Sequence, residues 1–159
     1  MKPTLVAALC ALLSAAPTAV FAQDDDWEFA EDPARNLTVA AVRYDGGTSL
    51  VVLCRDGVLT TVVTGLPTAD RIELQATRAD GRSDTQVWLA AGQPGALLSS
   101  TPEKDARFLR GGGTYEVRTV EGQAPVFRTS FDLPTQFANL DRVLLACESG
   151  LSREEPETP

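Results

Sequence analysis

The strongest pattern of apolar and polar residues in this chain covers residues 49–63. Two runs rich in valine, leucine and threonine lie on either side of Arg55-Asp56-Gly57. β-Branched residues favour strands, and Gly57 supplies the positive φ that a tight turn requires. The pattern predicts a β-hairpin with strands at 50–54 and 58–63. Both runs are apolar at successive positions, which indicates burial between two layers.

Weaker patterns of the same kind predict further strands along the chain. Residues 71–77 alternate, with Ile72, Leu74 and Ala76 facing inward, as is typical of a strand with one exposed face. Clusters of glycine, proline and aspartate separate the other candidates. These candidates are residues 37–44, 85–90, 96–99, 114–120 and 126–132.

Two segments carry helix signals. Thr101 is a suitable N-cap, Pro102 suits the first helical position, and Gly111 ends a short helix after Arg110. A second helix is predicted at 134–147, with one apolar stripe that points inward. The stripe consists of Phe137, Leu140, Leu144 and Cys147. The predicted fold class is α+β or mainly β: an antiparallel sheet or small sandwich, with the short helix and the C-terminal helix packed on it. The order of the strands stays open.

The first 22 residues have the pattern of a secretory signal peptide. Lys2 precedes an apolar run at 5–13, and Val20-Phe21-Ala22 forms a cleavage signal. The alternative is a membrane anchor, but the apolar run is too short to span about 30 Å of hydrocarbon. Cys10 lies inside this run and leaves with it. We therefore expect a periplasmic or secreted protein that begins at Gln23 and is not stably inserted in a membrane.

The remaining chain divides into three predicted parts. Residues 23–36 form an acidic N-terminal arm, residues 37–150 a single globular domain, and residues 151–159 a disordered acidic tail. Trp27 and Phe29 lie in the arm. They are interpreted as a clasp that packs against the edge of the domain, and as candidate contacts for a partner protein.

Cys54 and Cys147 are the two cysteines that remain after cleavage. In an exported chain they predict one disulfide, which would join the central hairpin to the C-terminal helix. Closing so long a loop contributes roughly 4–5 kcal/mol on the chain-entropy model. A redox-active pair is the alternative, but such pairs are usually close in sequence, as in Cys-x-x-Cys.

Composition excludes several classes of function. The chain has no histidine, which removes the Ser-His-Asp and Cys-His catalytic arrangements and nearly all zinc sites. Its net charge of −8 disfavours nucleic acid and anionic lipid, and attracts cationic partners. We expect no cofactor, no metal and no catalytic residue.

Acids and arginines are the remaining candidates for chemistry. Five aspartates fall at predicted turns, where they are turn formers rather than a catalytic pair or a calcium site. These are Asp45, Asp56, Asp70, Asp80 and Asp84. Arg107, Arg110 and Arg118 surround three glycines, and they are interpreted as solvated or ion-paired side chains, with anion binding as the alternative.

Three segments together resemble a family of small exported bacterial proteins. They are residues 49–57, an apolar strand ending in cysteine and a charged turn; 107–118, Phe-Leu and glycines before a strand; and 131–147, Phe-Asp-Leu before a helix ending in Ala-Cys. The combination resembles the VasI-type accessory proteins of type VI secretion and related periplasmic proteins. This resemblance implies an accessory or binding role without catalysis.

Three functions are consistent with these observations. The first is a non-enzymatic periplasmic module that binds another envelope protein. The second is an inhibitor of a cationic envelope-directed enzyme such as a lysozyme, which the acidity of the chain would suit. The third is a carboxylate-dependent glycan hydrolase, which would need a concave pocket holding two facing acids.

Overall fold

The computed structural model describes residues 25–67 and 69–151, with side chains through Glu148. The predicted signal peptide, Gln23 and the tail from Ser152 onward lie outside the described residues. Within the described chain, no helix is long and apolar enough to cross a membrane. Antiparallel β-structure dominates, with one short helix and one C-terminal helix, which confirms the predicted fold class.

In the described part of the chain, nine strands form one antiparallel sheet. Their order across the sheet is β1-β2-β3-β4-β7-β6-β5-β8-β9. The strands are β1 (Glu28–Asp32), β2 (Leu37–Arg43), β3 (Ser49–Arg55), β4 (Val58–Thr64), β5 (Arg71–Arg78), β6 (Ser83–Ala90), β7 (Ala96–Ser99), β8 (Gly113–Thr119) and β9 (Arg128–Leu133). The short β7 lies between β4 and β6, so the sheet does not follow sequence order.

The predicted central hairpin is confirmed as β3 and β4. Cys54 pairs with Leu59 and Arg55 with Val58, which leaves a two-residue turn. Asp56 and Gly57 both have positive φ, at 51° and 78°. A two-residue turn with both residues in this region matches the twist of the strands, and Asp-Gly is a preferred sequence for it.

One face of the hairpin is buried and the other is not. Leu50, Val52 and Cys54 are buried in the core, whereas Val51 and Leu53 on the opposite face are only partly covered. The predicted burial between two layers is therefore wrong for the described chain, because both helices pack on the same face of the sheet. By contrast, the half-exposed strand at 71–77 is confirmed, with its three predicted inward residues buried.

The two helices are α1 (Pro102–Phe108), which a 3₁₀ turn extends through Leu109–Gly111, and α2 (Ala138–Leu151). The second begins four residues later than predicted and continues past Cys147. Its first turn is fixed from a distant part of the chain, since the Asn139 amide donates to the Asp26 carboxylate at 3.3 Å. Leu140, Leu144 and Cys147 face the core as predicted, together with Val143.

The sheet curls until its far sides meet. Tyr44, directly after β2, packs against Phe131 of β9 with ring centroids 5.2 Å apart and ring planes tilted by 47°. Its hydroxyl also donates to the Asp132 carbonyl at 3.1 Å. Inward-facing side chains from most strands therefore share one core, which α1 and α2 complete.

The segment predicted to be an acidic arm belongs to the sheet from Glu28 onward. All five residues of β1 pair with β2, so the folded domain begins well before Leu37. The Asn139 side chain also donates to the Trp27 carbonyl at 2.8 Å. Pairing with β2 makes this acidic stretch a strand, although it has no apolar alternation of its own.

The predicted disulfide is present. Cys54 and Cys147 are joined with an S–S distance of 2.10 Å and a Cα–Cα distance of 5.5 Å. Both residues are buried. The bond connects the last turn of α2 to the central hairpin, and it fits an oxidising compartment.

Candidate functional site

A groove of about 830 Å³ lies where the β3–β4 hairpin, α1 and α2 come together. We call this feature the tip groove. It has three walls, one from each element. Its lining residues are Gly57, Val58 and Leu59 of the hairpin; Thr101, Pro102, Glu103, Lys104 and Arg107 of the α1 segment; and Leu144, Cys147 and Glu148 of α2.

Local sequence explains each wall. The Asp56-Gly57 turn places Val58 at the tip of the hairpin, where its side chain is 65% exposed. Pro102 occupies the first turn of α1, where its missing amide proton costs nothing. Leu144 and Cys147 are on the apolar stripe of α2 and reach the groove at the end of that stripe.

Each pair of walls is joined by a specific link. The buried Thr61 of β4 donates its hydroxyl to the Pro102 carbonyl at 2.8 Å, which joins the hairpin to α1. Arg107 contacts Glu148 at 2.5 Å, which joins α1 to α2. The Cys54–Cys147 disulfide joins α2 to the hairpin. These three links connect the walls of the groove, and the buried Leu144 packs α2 into the core beside them.

Charged groups form the rim of the tip groove. Arg107 also contacts Glu103 at 3.1 Å, and the hydrogen bonds that its guanidinium donates to both carboxylates raise the pKa of Arg107. Lys104 contacts Asp84 of β6 at 2.8 Å, and this hydrogen bond raises the pKa of Lys104. With Asp84 included, the rim has three acids and two bases. The groove therefore has a mainly apolar lining and a rim with a slight excess of acidic groups.

A buried polar cluster stands behind the α1 wall. Asp105 is 1% exposed, and its Oδ2 accepts from the Ser99 hydroxyl at 2.5 Å and from the Thr101 hydroxyl at 3.3 Å. Burial raises the pKa of Asp105, and the two hydroxyl hydrogen bonds partly oppose that shift. Asp105 therefore ties the start of α1 to β7.

Gln86 is the centre of a second buried polar contact. Its Oε1 accepts from the Tyr115 hydroxyl at 2.9 Å and from Trp88 Nε1 at 3.3 Å. Burial also raises the pKa of Tyr115. These contacts lie in the core, and their residues do not line the groove.

The acids at the tip groove do not form a catalytic pair. Glu103 and Glu148 are both more than half exposed, and Arg107 pairs with both of them. A glycosidase needs two carboxyl groups that face the bond to be cleaved, and here both carboxylates are ion-paired with the same arginine. The described residues contain no group of three histidines, cysteines or acids that could hold a metal ion.

The sequence-predicted site residues fall in different places. Trp27 is fully buried in the core, so the folded protein leaves none of its side chain free for a partner. Phe29 is half-buried, with the Arg142 guanidinium 3.7 Å from its ring centroid. The side chains of Trp27 and Phe29 thus pack within their own domain, as expected for a clasp. Of the cysteines, Cys147 lines the groove.

The acids and arginines singled out in the sequence do not converge. Asp84 lies inside β6 and not in a turn, which corrects that interpretation. The three arginines have separate partners: Arg107 at the groove, Arg110 with Asp141 at 2.7 Å, and Arg118 with the Gln75 side chain. They do not form an anion site.

The groove residues themselves were not predicted. Val58, Pro102 and Leu144 come from three distant segments, and only the cysteine pair signalled that two of these segments meet. Comparison of the chain with protein-family models, with curated proteins and with solved structures finds no match. The interpretation of the groove therefore depends on its own residues.

Proposed function

We propose that this protein is a non-enzymatic binding module of the periplasm, and that the tip groove holds a basic polypeptide segment of a partner protein with an apolar anchor residue. The observation that carries the proposal is the apolar groove with its ion-paired rim. Val58, at its edge, is one of the four large apolar side chains that stay exposed in the described chain. Exposed apolar side chains beside a groove and within a polar rim are typical of interaction sites.

Charge supports a basic occupant. The chain carries a net charge of −8, and acids outnumber bases at the rim. Such a field attracts cationic segments and repels acidic ones. Glu103 would accept a hydrogen bond from a lysine or arginine next to the anchor, because a carboxylate accepts more than one hydrogen bond.

The periplasmic, accessory role is supported by the predicted signal peptide, the disulfide and the resemblance to VasI-type proteins. A binding role also needs no histidine and no general acid. Inhibition of a cationic enzyme is the second candidate, and the same acidic charge favours it. The two candidates differ in whether the captured protein loses activity.

The test uses the disulfide-bonded protein, expressed as the full chain with its predicted signal peptide. An acetylated Lys-Lys-Leu-Phe-Lys-Lys peptide is titrated by fluorescence anisotropy, beside its counterpart with glutamate in place of lysine. Lysozyme serves as a folded basic protein, with its turnover measured. We expect the lysine peptide to bind, the glutamate peptide to bind at least about tenfold more weakly, and salt to weaken binding.

A pair of charge-matched variants locates the site. Val58→Lys places a cation at the groove edge and should abolish peptide binding. Val126→Lys adds the same charge at a side chain that is 86% exposed and does not line the groove, so it should change the affinity by less than about twofold. Equal affinity of both variants, or equal binding of the two peptides, would contradict the proposal. Inhibition of lysozyme would favour the second candidate.

A further inference from the structure

The outer face of the sheet, opposite the helices, carries a continuous row of apolar side chains. The strand register places one residue from each of seven neighbouring strands side by side in this row. In order across the sheet they are Glu28, Ala41, Val51, Val62, Leu98, Leu89 and Arg71. We call this feature the outer row. Its five middle residues are apolar, and its two ends carry opposite charges.

The side chains of the outer row point away from the core. Val51 lies between the buried Leu50 and Val52, and Val62 lies between two buried residues of β4. Both valines are partly exposed, and Leu89 is 40% exposed. Paired residues on neighbouring strands point to the same face of a sheet, so the whole row faces outward. Three more apolar residues widen this face by one position along the strands: Val39, Leu53 and Val87.

The composition of this face is typical of a sheet buried between two layers. Where one face of an antiparallel sheet meets water, that face is usually polar. The strand β5 of the same sheet follows this rule, because its outward residues are Arg71, Glu73, Gln75 and Thr77. The outward residues of β3, β4 and β7 along the outer row are instead valine and leucine. In the described chain both helices cover the inner face only, so the outer row lacks a matching layer there.

We propose that the outer row is the surface through which two copies of this chain pack face to face. The ends of the row argue for a second copy as the partner. Glu28 and Arg71 each lie three strands from Val62, on opposite sides of it. A two-fold axis parallel to β4 at Val62 reverses the row, and it therefore places Glu28 opposite the partner's Arg71. Facing sheets pack about 10 Å apart with their strands within about 30° of each other, which this axis allows.

The same axis matches the sizes of the apolar residues. It places Ala41 opposite the partner's Leu89, Val51 opposite the partner's Leu98, and Val62 opposite the partner's Val62. A smaller residue thus meets a larger one on each side of the axis, and two residues of intermediate size meet at its centre. Self-complementarity of this kind is what a two-fold interface requires.

The charges beside the outer row are balanced, although the chain carries a net charge of −8. Glu28 contacts Arg43 at 3.6 Å, and Arg71 contacts Glu73 at 2.8 Å. The row is therefore flanked by two acids and two bases. A strongly cationic partner gains little from such a surface, whereas a second copy offers an opposite charge at each end of the row.

The size of the apolar face predicts a weak dimer. The sheet curls, so its outer face is convex, and contact is closest at the middle of the row. About eight apolar side chains of each copy take part, fewer than the 20 to 30 residues per side of a standard interface. We therefore expect a reversible dimer whose population rises with protein concentration. The residues that line the tip groove are not members of the outer row, so this inference is independent of the proposed function.

The first experiment measures self-association of the disulfide-bonded protein, expressed as the full chain with its predicted signal peptide. Analytical ultracentrifugation from low micromolar to near-millimolar concentration should show a monomer converting to a dimer. Val62→Lys places like charges together at the axis and should weaken the dimer at least about tenfold. Val126→Lys adds the same charge outside the row and should change the dissociation constant by less than about twofold. Circular dichroism checks that both variants fold. A monomer at every concentration, or equal association of the two variants, would overturn the inference.

The second experiment tests the position of the axis. In Val62→Cys the two new thiols face each other across the interface, so diamide should oxidise them to an intermolecular disulfide, taking up the two protons and two electrons released. Non-reducing electrophoresis then shows a covalent dimer. Val126→Cys is the matched control and should stay monomeric under the same treatment. Equal cross-linking of the two variants, or none in Val62→Cys, would contradict the proposed contact.

The third experiment tests the orientation of the two copies. Glu28→Arg and Arg71→Glu should each weaken the dimer by about two- to tenfold, because each places like charges opposite one another. The double variant restores opposite charges and should recover most of the original affinity. A two-fold axis along the row would instead place Glu28 opposite the partner's Glu28. Failure of the double variant to recover would overturn the proposed packing.

Discussion

Replacing Trp27 by alanine should destabilise the fold strongly. Trp27 is 0% exposed and belongs to the hydrophobic core, next to the start of β1. A tryptophan buries about 150–250 Å² of surface, which at about 25 cal/mol per Å² corresponds to roughly 4–6 kcal/mol. This is an upper bound, because unfolded chains already bury part of their surface. Core changes from phenylalanine or tryptophan to alanine usually cost about 3–5 kcal/mol, and we expect a loss in that range.

The measurement is urea unfolding of the disulfide-bonded protein, followed by circular dichroism at neutral pH. Trp27→Phe is the matched control. Trp27 Nε1 has no hydrogen-bond partner in the part of the chain that the structure describes, so phenylalanine removes an unpaired donor and keeps most of the buried ring. We expect Trp27→Phe to cost less than half as much as Trp27→Ala.

A loss below about 1 kcal/mol for Trp27→Ala would refute this reasoning. It would show that the segment before β1 is dispensable for the fold, and it would return Trp27 to the role of a partner contact.

Three further predictions concern the links around the groove. Cys54→Ser should lower the free energy of unfolding by roughly 2–5 kcal/mol, measured by urea unfolding against Ile72→Val, a change of one buried methyl group. Thr61→Val should cost about 1–3 kcal/mol in the same assay because it leaves the Pro102 carbonyl without its donor; an unchanged midpoint would contradict that hydrogen bond. Asp105→Asn should flatten the pH dependence of stability. Burial raises the folded-state pKa of Asp105 above its ordinary 3.8, so the wild type gains stability as the pH falls from neutral through that pKa. The asparagine variant lacks this group and should not show that gain. Parallel pH profiles of the two proteins would contradict the role given to Asp105. Asp84 and Lys104, whose charges also act on Asp105, are present in both proteins.

Local signals explain most of what the sequence predicted correctly. The hairpin depends on β-branched runs and on Asp56-Gly57, which act within a few residues, and the structure places its strands as expected. The start of α2 was placed wrongly because Asp26, more than a hundred residues earlier, accepts from the Asn139 amide. The strand β1 was missed for the same reason, since its residues become a strand only by pairing with β2.

The candidate site was less predictable than the fold. The cysteine pair showed that the hairpin and the last helix meet, and the structure confirms it. Nothing in the sequence showed that α1 approaches the same point, because β7 must first insert between β4 and β6 to bring it there. The groove depends on that strand order, and the spacing of apolar residues along the chain does not predict strand order.

The contacts between the two ends of the described chain have a consequence for the order of folding. Asp25 and Asp26 accept hydrogen bonds from Thr135 and Asn139 at the entrance to α2, so both ends must be present before this helix is complete. Contacts between residues so far apart in sequence form slowly, whereas hairpins close in microseconds. We expect the hairpins to form first and α2 to dock last. Until it docks, Cys54 and Cys147 remain exposed as thiols, and a folding intermediate should react with an alkylating reagent that the native protein resists.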